Sequence, residues 1–262
     1  MARPVLVKLG GSLLTDKAGE GKFQKAVARR LLAELGKAGL PVVILHGAGS
    51  YGHPPVARHG IGQGPMTQAK REGVSEVLAR VGELQAEVVA LAHDVGLRPV
   101  ALPLHAFASR EDGNLLGLPI AETKRLLDEG HAPVMSGTLT RDSRTGWSVT
   151  GADELMQEFA QELEPRLAVF ATDVDGIYDR DPRSVATDEA AHLLARIRPG
   201  DESGIDGSNG LGDDVTGRMS GKLVRALAMA RTCPVLIVNG TEKNRLLDAL
   251  RGKQVVCTRV EA

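Results

Sequence analysis

The sequence predicts an α/β fold with a mainly parallel central sheet and helices on both faces of that sheet. Short, nearly continuous apolar runs recur along the chain, as in strands that are covered on both faces. Longer segments with apolar residues at helical spacing separate these runs, and this alternation is typical of parallel sheets. With 262 residues, 42% of them apolar, the chain is long enough to bury a sizeable core.

The apolar runs predict strands over 4–9, 41–46, 98–104, 132–135, 167–172, 234–238 and 254–258. Helical spacing predicts helices over 24–39, 66–95, 119–129, 152–163, 217–231 and 241–251.

Two segments break the alternation. A Ser-Arg-Thr-Gly turn within 138–150 favours a β-hairpin, and the Gly- and Asp-rich segment 199–215 is expected to be a mobile loop. We expect a single domain with an N-terminal lobe over about 1–165 and a C-terminal lobe over about 166–262.

Composition excludes several classes of protein. The formal charge is −1 and aromatic residues make up 3%, so neither nucleic acid nor a membrane surface is an expected partner. Cys233 and Cys257 form no CxxC pair, and the histidines lack metal-ligand spacing, which argues against a disulfide scaffold and a zinc site. No secretory signal or long apolar span is present, so we expect a soluble cytoplasmic protein.

The first predicted strand runs into a glycine loop, Lys8-Leu9-Gly10-Gly11-Ser12. Two glycines let backbone N–H groups approach an anion, and a lysine can neutralise its charge. A plain glycine turn with a solvated lysine fits this segment equally well.

The second predicted strand runs into Gly47-Ala48-Gly49-Ser50-Tyr51-Gly52-His53, formally a GxGxxG motif. A dinucleotide site is disfavoured because the motif follows the second strand and the next strand ends in Leu102-Pro103-Leu104, without an acidic residue. A second anion-binding loop fits better. His53 could donate to a phosphate oxygen there, or be a surface histidine in the Pro-rich turn His53-Pro54-Pro55.

Two later segments carry charge. The run from Asp173 to Pro182 could hold Mg²⁺ or nucleotide hydroxyls, or form an Asx-rich turn, and its spacing is not that of an EF-hand. The run from Asp214 to Leu223 resembles a Walker A loop but lacks its spacing and its Mg²⁺-binding hydroxyl. Lys222, near a helix N-terminus, still suits a phosphate.

Two glycine loops and three lysines (Lys8, Lys17 and Lys222) could converge at one edge of the sheet. This inventory suits phosphoryl transfer, which depends mainly on positioning and on neutralising the charge of phosphate oxygens. No GxSxG elbow or Cys/His nucleophile signature competes with that interpretation.

These motifs, in this order, resemble the amino acid kinase superfamily over nearly the whole chain. The histidine after the second glycine loop and Thr15-Asp16-Lys17 favour the branch whose acceptor is a phosphate group, and the chain most resembles members that phosphorylate isopentenyl phosphate. The motifs that carry the resemblance are 8–12 with 15–17, 46–53, 171–178, 214–217 with 221–222, and 238–240.

The resemblance implies a three-layer αβα sandwich, usually a homodimer, with ATP and Mg²⁺ over the C-terminal lobe and the acceptor over the N-terminal lobe. Mg²⁺ would be held largely by phosphates, so no protein metal ligand is assigned. The implied catalytic residues are Lys8, Lys17, Asp153 and Lys222, with Lys17 at the transition state and Asp153 orienting the lysines. The implied nucleotide-binding residues are Lys8, Gly10, Gly11, Ser12, Gly49, Asp173, Tyr178, Asp181, Gly217 and Lys222. The implied acceptor-binding residues are Ala48, Gly52, His53 and Gly151.

The sequence departs from the family pattern in four places. Tyr51 replaces a Phe, Ser136-Gly137-Thr138 stands where Gly-Asp is common, Ala152 replaces an Asp in a Ser-Gly-Asp-Asp segment, and Arg218 replaces a glycine. Two of these positions, Thr138 and Ala152, lie near the implied acceptor site.

Several functions therefore stay open at this point. One is ATP-dependent phosphorylation of isopentenyl phosphate, and another is the same transfer to a different phosphate or phosphonate such as fosfomycin. A non-catalytic nucleotide sensor and a Rossmann dehydrogenase are the remaining alternatives. An apolar pocket beyond His53 would favour the isoprenoid acceptor, and residues 74–107, including Val88, Leu91, Leu104 and Phe107, are candidates to line it.

Overall fold

The structure is a computed structural model that describes residues 3–16, 19–180, 191–201 and 219–262. In chain order the elements are β1 (Val5–Leu9), α1 (Gly11–Leu14), α2 (Lys25–Ala38), β2 (Val42–His46), α3 (Gly49–His59), α4 (Gln68–Asp94), β3 (Pro99–Ala101), a 3₁₀ turn (Leu104–Ala106), β4 (Ser109–Glu111), β5 (Asn114–Leu116), α5 (Ile120–Asp128), β6 (Ala132–Ser136), β7 (Thr138–Asp142), β8 (Gly146–Thr150), α6 (Ala152–Leu163), β9 (Leu167–Thr172), β10 (Arg196–Ile197), α7 (Met219–Ala230), β11 (Val235–Asn239), α8 (Arg245–Leu250) and β12 (Cys257–Val260).

The main sheet has eight strands among the described residues, in the order β10-β12-β11-β9-β1-β2-β6-β3. Every neighbouring pair is parallel except β11 and β12. β1 lies inside the sheet, where Val5 is in register with Val42 of β2 and with Leu167 of β9. The predicted parallel α/β class is confirmed.

Helices cover both faces of this sheet. Successive residues of β1 point to opposite faces, so Val7 joins the apolar core under α1, α2, α4 and α8, while Leu6 joins the core under α5, α6 and α7. Both residues are fully buried. The result is the three-layer arrangement that the sequence predicts.

A second sheet, of four strands in the order β5-β4-β7-β8, stands beside the main one. Its β7–β8 pair is the predicted hairpin, with Thr138 in register with Thr150. A third apolar cluster fills the space between this hairpin, α3 and α4, and includes Val56, Val77 and Leu139.

His53 lies within helix α3 rather than in a Pro-rich turn, which was one of the two interpretations of the sequence there. Pro54 and Pro55 lie inside this helix and have no N–H to donate to the preceding turn. The Ser50 carbonyl, which Pro54 leaves without a helical partner, accepts a hydrogen bond from the Gly21 N–H at 3.4 Å. A contact that is distant in sequence therefore compensates for the break.

Other boundaries also differ from the predictions. The strand expected over 98–104 ends at Ala101, because Pro103 cannot donate to a neighbouring strand and a 3₁₀ turn follows. The last strand begins at Cys257 rather than at 254, because its pairing with β11 begins at Cys257. The final helix is shorter than 241–251, and the small β4–β5 hairpin was not predicted.

The expected loop over 199–215 lies mostly outside the described residues. The boundary between two lobes near residue 165 stays a prediction, and the main sheet crosses it, since β1 pairs with strands from both sides. In the part of the chain that the structure describes, no helix has the length and apolar character needed to span a membrane.

Candidate active site

The carboxyl ends of β1, β2, β6 and β9 meet at one edge of the main sheet, because these strands are parallel neighbours. Hydrogen bonds hold the loops that follow them side by side. The Gly47 N–H donates to the Leu9 carbonyl at 3.0 Å, and the Gly137 N–H donates to the His46 carbonyl at 2.9 Å. In open α/β sheets this edge is where ligands bind.

The two glycine loops touch each other. A Cβ on Gly11 would lie 2.7 Å from the Gly49 Cα, and a Cβ on Gly49 would lie 2.1 Å from the Thr15 Oγ1. Gly49 also has a φ of +50°, which L side chains rarely adopt. Thr15 joins the loops, since its hydroxyl donates to the Gly11 carbonyl at 2.9 Å and accepts from the Ser50 N–H at 3.0 Å.

Lys8, Asp153 and Lys222 form an ionic triad at this edge. The Lys8 Nζ lies 2.6 Å from Asp153 Oδ1, and the Lys222 Nζ lies 3.2 Å from Asp153 Oδ2. Lys8 belongs to β1, Asp153 to the first turn of α6 and Lys222 to the first turn of α7. The fold thus brings together two cations from opposite ends of the chain on one carboxylate.

The environment of the triad changes the acidity of its members. Burial works against ionisation of Asp153, but the two lysine charges outweigh it and hold the pKa of that carboxyl well below its usual range. Burial, reinforced by the charge of Lys8, lowers the pKa of Lys222 to about 8, against the opposing effect of Asp153. The ammonium group of Lys222 is therefore poised to gain stability from a further negative charge.

A cavity of about 430 Å³ opens beside the triad. Lys8, Gly11, Gly49, His53 and Asp153 contribute to its polar end. His53 reaches this cavity from the first turns of α3, so the helix that the sequence did not predict is the element that aims it.

Another part of the cavity lining is apolar. It is built by Val56 of α3, Val77 and Val81 of α4, and Leu139 and Val149 of the β7–β8 hairpin. Val77 and Val81 belong to the range 74–107 that the sequence analysis proposed for this wall, but the four side chains named there do not line it. Val88 and Leu91 pack in the core under α4, Leu104 packs in the core of the other sheet face, and Phe107 is 45% exposed.

The cavity floor near β8 is polar but carries paired charges. Arg110 of β4 makes two hydrogen bonds to the carboxylate of Glu154, at 3.0 and 2.9 Å. Arg110 also donates to the Thr150 hydroxyl at 3.3 Å, and that hydroxyl lies 2.8 Å from the Thr140 hydroxyl. Glu154 and Thr150 line the cavity, so these contacts fix the small sheet against α6 at the site.

The model of the amino acid kinase family matches residues 3–239. The chain belongs to the amino acid kinase family. The convergence of glycine loops and lysines at the sheet edge is thus a feature of a kinase family member.

Relatives within the family cover almost the whole chain. The isopentenyl phosphate kinase of Methanothermobacter thermautotrophicus is 30% identical over 265 residues, which is 98% of each chain. A solved structure of an isopentenyl phosphate kinase is similar with a TM-score of 0.84 and 29% identity, covering 97% of this chain and 99% of that one. The product complex of the T. acidophilum isopentenyl phosphate kinase is similar with a TM-score of 0.80 and 26% identity, covering 98% and 100%.

Most of the site residues predicted by resemblance to the family meet at this cavity. Lys222 contacts Asp153 within the triad, and Gly10 and Ser12 flank Gly11 in the first loop. Those that line the cavity itself are Lys8, Gly11, Ala48, Gly49, Gly52, His53, Gly151 and Asp153. Their roles in kinase chemistry remain predictions, and their common location is what the structure adds.

Asp173 and Tyr178, two predicted nucleotide-binding residues, are not among the residues that line the cavity. Asp173 directly follows β9, and Tyr178 forms a bridge with Leu193. Burial and the neighbouring Asp175 raise the pKa of Tyr178. Asp175 itself accepts from Asn239 at 3.0 Å and from Arg245. Four of the residues singled out in the sequence, Lys17, Asp181, Gly217 and Arg218, lie outside the described residues.

Sequence reasoning missed some side chains at the site. The motifs include Thr15 without predicting a role for it, and they do not contain Arg110, Glu154 or Arg225. Arg225 lines the cavity and follows Lys222 by one helical turn, so its spacing was a signal that could have revealed it. Arg110 gave no such signal, because only the small sheet brings it to the site.

Two of the departures from the family pattern lie on the cavity wall. Thr138 and Ala152 both line it, so neither position contributes a carboxylate there. Among the described residues, no group of three or more histidine, cysteine or acidic side chains is arranged to hold a metal ion.

Proposed function

We propose that this protein transfers the γ-phosphoryl group of ATP to isopentenyl phosphate, giving isopentenyl diphosphate and ADP. Relatives that cover nearly the full chain at 29–30% identity include isopentenyl phosphate kinases, which supports a phosphotransferase acting on a phosphate group. The single observation that carries the acceptor assignment is the two-ended character of the cavity. Its cationic end suits a phosphate, and its apolar end suits a short branched hydrocarbon.

The apolar wall decides between the acceptors that the sequence left open. Five aliphatic side chains line it, from Val56 to Val149 along the chain, so a hydrocarbon tail would be removed from water there. A small polar phosphonate such as fosfomycin would leave this wall without a complementary surface. The wall therefore favours isopentenyl phosphate.

The chemistry needs no general base. The acceptor is a phosphate monoester, and at neutral pH its oxygens already carry about 1.5 to 2 negative charges. One of these oxygens forms a bond to the γ-phosphorus of ATP while the bond from that phosphorus to the β–γ bridging oxygen breaks, and ADP leaves with the electron pair. The main barrier is the approach of two polyanions, which fixed cations and N–H groups lower.

The residues of the triad and the loops supply those groups. Lys8 and Lys222 neutralise the phosphates on both sides of the transferred group, and Asp153 holds the two ammonium groups in place before substrates arrive. His53 donates to the phosphate of the acceptor, supported by backbone groups of Ala48, Gly52 and Gly151. Gly10, Gly11, Ser12 and Gly49 let the backbone approach the transferred group, and Lys17 completes the cationic set.

The nucleotide is expected beyond this set, over Asp173 and Tyr178, with Asp181 and Gly217. Mg²⁺ belongs to the proposal as the partner of ATP, and when bound it would neutralise donor phosphate charge. The donor set fits a phosphate-held ion, because the carboxylate at the centre of the site, Asp153, is already engaged by two lysines. A homodimer and a cytoplasmic location complete the proposal, and light scattering would report twice the 27.7 kDa of the chain for a dimer.

The proposed function is tested by measuring ADP release from Mg-ATP with isopentenyl phosphate as the acceptor. We expect turnover that collapses in His53→Ala and persists in His105→Ala, a matched histidine loss at an exposed position outside the cavity.

Two results would contradict the proposal. Equal turnover in both histidine variants would remove His53 from acceptor binding. Turnover with fosfomycin and none with isopentenyl phosphate would overturn the acceptor, although the kinase assignment would stand.

A further inference from the structure

Helix α7 directs two cations toward helix α6. Lys222 and Arg225 are three positions apart and therefore share one side of α7, while Asp153 and Gln157 are four positions apart on α6. The Lys222 Nζ lies 3.2 Å from Asp153 Oδ2, and the Arg225 Nη1 donates to Gln157 Oε1 at 3.2 Å. Two successive turns of the helices are linked in the same way, first through a carboxylate and then through a neutral amide.

This difference leaves Arg225 as the least compensated charge on the cavity wall. Asp153 is shared by two lysines, and Glu154 is neutralised by Arg110. Among the described residues, no carboxylate lies within 4.0 Å of the Arg225 guanidinium, and Glu158 feels its charge only from farther away. Arg225 nevertheless lines the same cavity as Lys8 and His53.

We propose that Arg225 is a further phosphate-binding residue of this site and that Gln157 is the positioning residue that orients its guanidinium. The inference rests on the proposed function, because it adds one contact to the same phosphoryl transfer. An arginine carries five N–H donors in a planar fork that matches phosphate oxygens, and the bond to Gln157 uses only one edge of that fork. The ligand chemistry is a phosphate oxygen, of either the acceptor or the donor.

A purely structural role explains the arrangement less well. The two helices already pack through apolar side chains, among them Met156 and Phe159 of α6 and Ala226 of α7, all fully buried. A neutral amide contributes little toward the cost of holding a guanidinium partly buried at a cavity, whereas a bound phosphate supplies the missing negative charge.

The test combines binding with kinetics. Pyrophosphate and inorganic phosphate are titrated against the protein in thermal-shift experiments, and KM is measured separately for ATP and for isopentenyl phosphate. The variants are Arg225→Gln, Arg225→Lys and Gln157→Leu. Arg231→Gln is the matched control, because Arg231 is exposed just beyond the end of α7 and does not line the cavity.

We expect Arg225→Gln to lose most of the stabilisation by pyrophosphate and to raise KM for one phosphate substrate on the order of 10- to 100-fold, as for loss of a charge-assisted hydrogen bond. The substrate whose KM rises identifies the source of the phosphate. Arg225→Lys should recover part of the lost binding. Gln157→Leu should raise KM for the same substrate to a smaller extent. Arg231→Gln should behave as the wild type.

The inference is overturned if Arg225→Gln keeps the pyrophosphate response and both KM values within about twofold of the wild type. It is also overturned if Arg225→Gln is poorly folded and Arg225→Lys and Gln157→Leu, when folded, both bind pyrophosphate like the wild type. A wild-type protein that is inactive on isopentenyl phosphate would refute the proposed function. Because pyrophosphate binding needs no turnover, the role of Arg225 could still be measured in that case.

Discussion

At the scale of single residues, Asp153 governs the site because two lysines share its carboxylate. Without a substrate it offsets the repulsion between Lys8 and Lys222, and its own low pKa keeps it ionised over the whole physiological range. A phosphate that enters beside it meets two ammonium groups that are already positioned. Such positioning before the reaction is what makes fixed charges effective in catalysis.

Loss of either lysine should therefore reduce the rate far more than the stability. We expect Lys8→Ala and Lys222→Ala to lower kcat/KM about 30- to 1,000-fold, which corresponds to about 2–4 kcal/mol of transition-state stabilisation. Steady-state kinetics measure the loss, and circular dichroism checks that each variant is folded. Near-normal turnover in a folded Lys222→Ala protein would show that Lys222 does not serve the reaction.

The lowered pKa of Lys222 predicts a pH effect on nucleotide binding. Burial and Lys8 lower this pKa to about 8, so the free protein loses the Lys222 charge as the pH rises through that value. Bound phosphate favours the protonated form and raises the pKa, so binding should take up protons and the affinity for ATP should fall as the pH increases from about 7 to 9.

Calorimetry in buffers of different ionisation enthalpy measures that proton uptake. Lys222→Arg is the control, because an arginine stays charged throughout this range. An ATP affinity of the wild type that does not change between pH 7 and 9 would count against the assigned pKa.

At the scale of the elements, the loops that contain Gly11 and Gly49 lie in such close contact that a side chain at either glycine would collide with its neighbours. Gly49→Ala should destabilise the protein by about 2–5 kcal/mol, since it adds a collision with Thr15 to the cost of a positive φ. Gly39→Ala is the matched control, because Gly39 has a φ of +66° and a Cβ there would meet nothing within 4 Å. Chemical denaturation measures the free energy of unfolding of both variants. Equal decreases would mean that the contact between the loops contributes nothing to the effect.

The local sequence pattern predicts some of the elements and not others. Apolar periodicity predicted α6 at its observed bounds, because the helix packs one regular apolar face on the sheet. It did not predict α3, because Pro54 and Pro55 are local signals for a break and the compensating bond comes from Gly21, far away in the chain. The motifs located Lys8 and Lys222, but their meeting on Asp153 and the apolar wall near His53 depend on contacts between distant segments. Such contacts leave no local pattern.

At the scale of the whole molecule, the cavity exists because three separate parts of the fold face one another. The sheet edge supplies its cationic end, α3 and α4 supply one apolar side, and the β7–β8 hairpin supplies the other. A substrate with a charged head and an apolar tail can fill both ends at once. The fold therefore separates binding of the head from binding of the tail.

This separation predicts a selective effect of filling the apolar end. Val77→Phe should raise KM for isopentenyl phosphate about tenfold or more by occupying space for the tail, while KM for ATP should change little. Turnover of methyl phosphate, which has almost no tail, serves as the internal control and should be preserved. If the turnover of both acceptors falls equally, the substitution has disturbed the phosphate end of the cavity, and the assigned orientation of the acceptor is wrong.

The position of β1 inside the main sheet has a consequence for how the chain is made. β1 leaves the ribosome long before one of its two neighbours, β9, which ends only at Thr172. Until β9 is synthesised, the edge of β1 that pairs with it has no partner strand. An apolar unpaired edge is a site of aggregation. A chain released at residue 165 should therefore accumulate in inclusion bodies, and the nascent protein should depend on chaperones until the second half is synthesised.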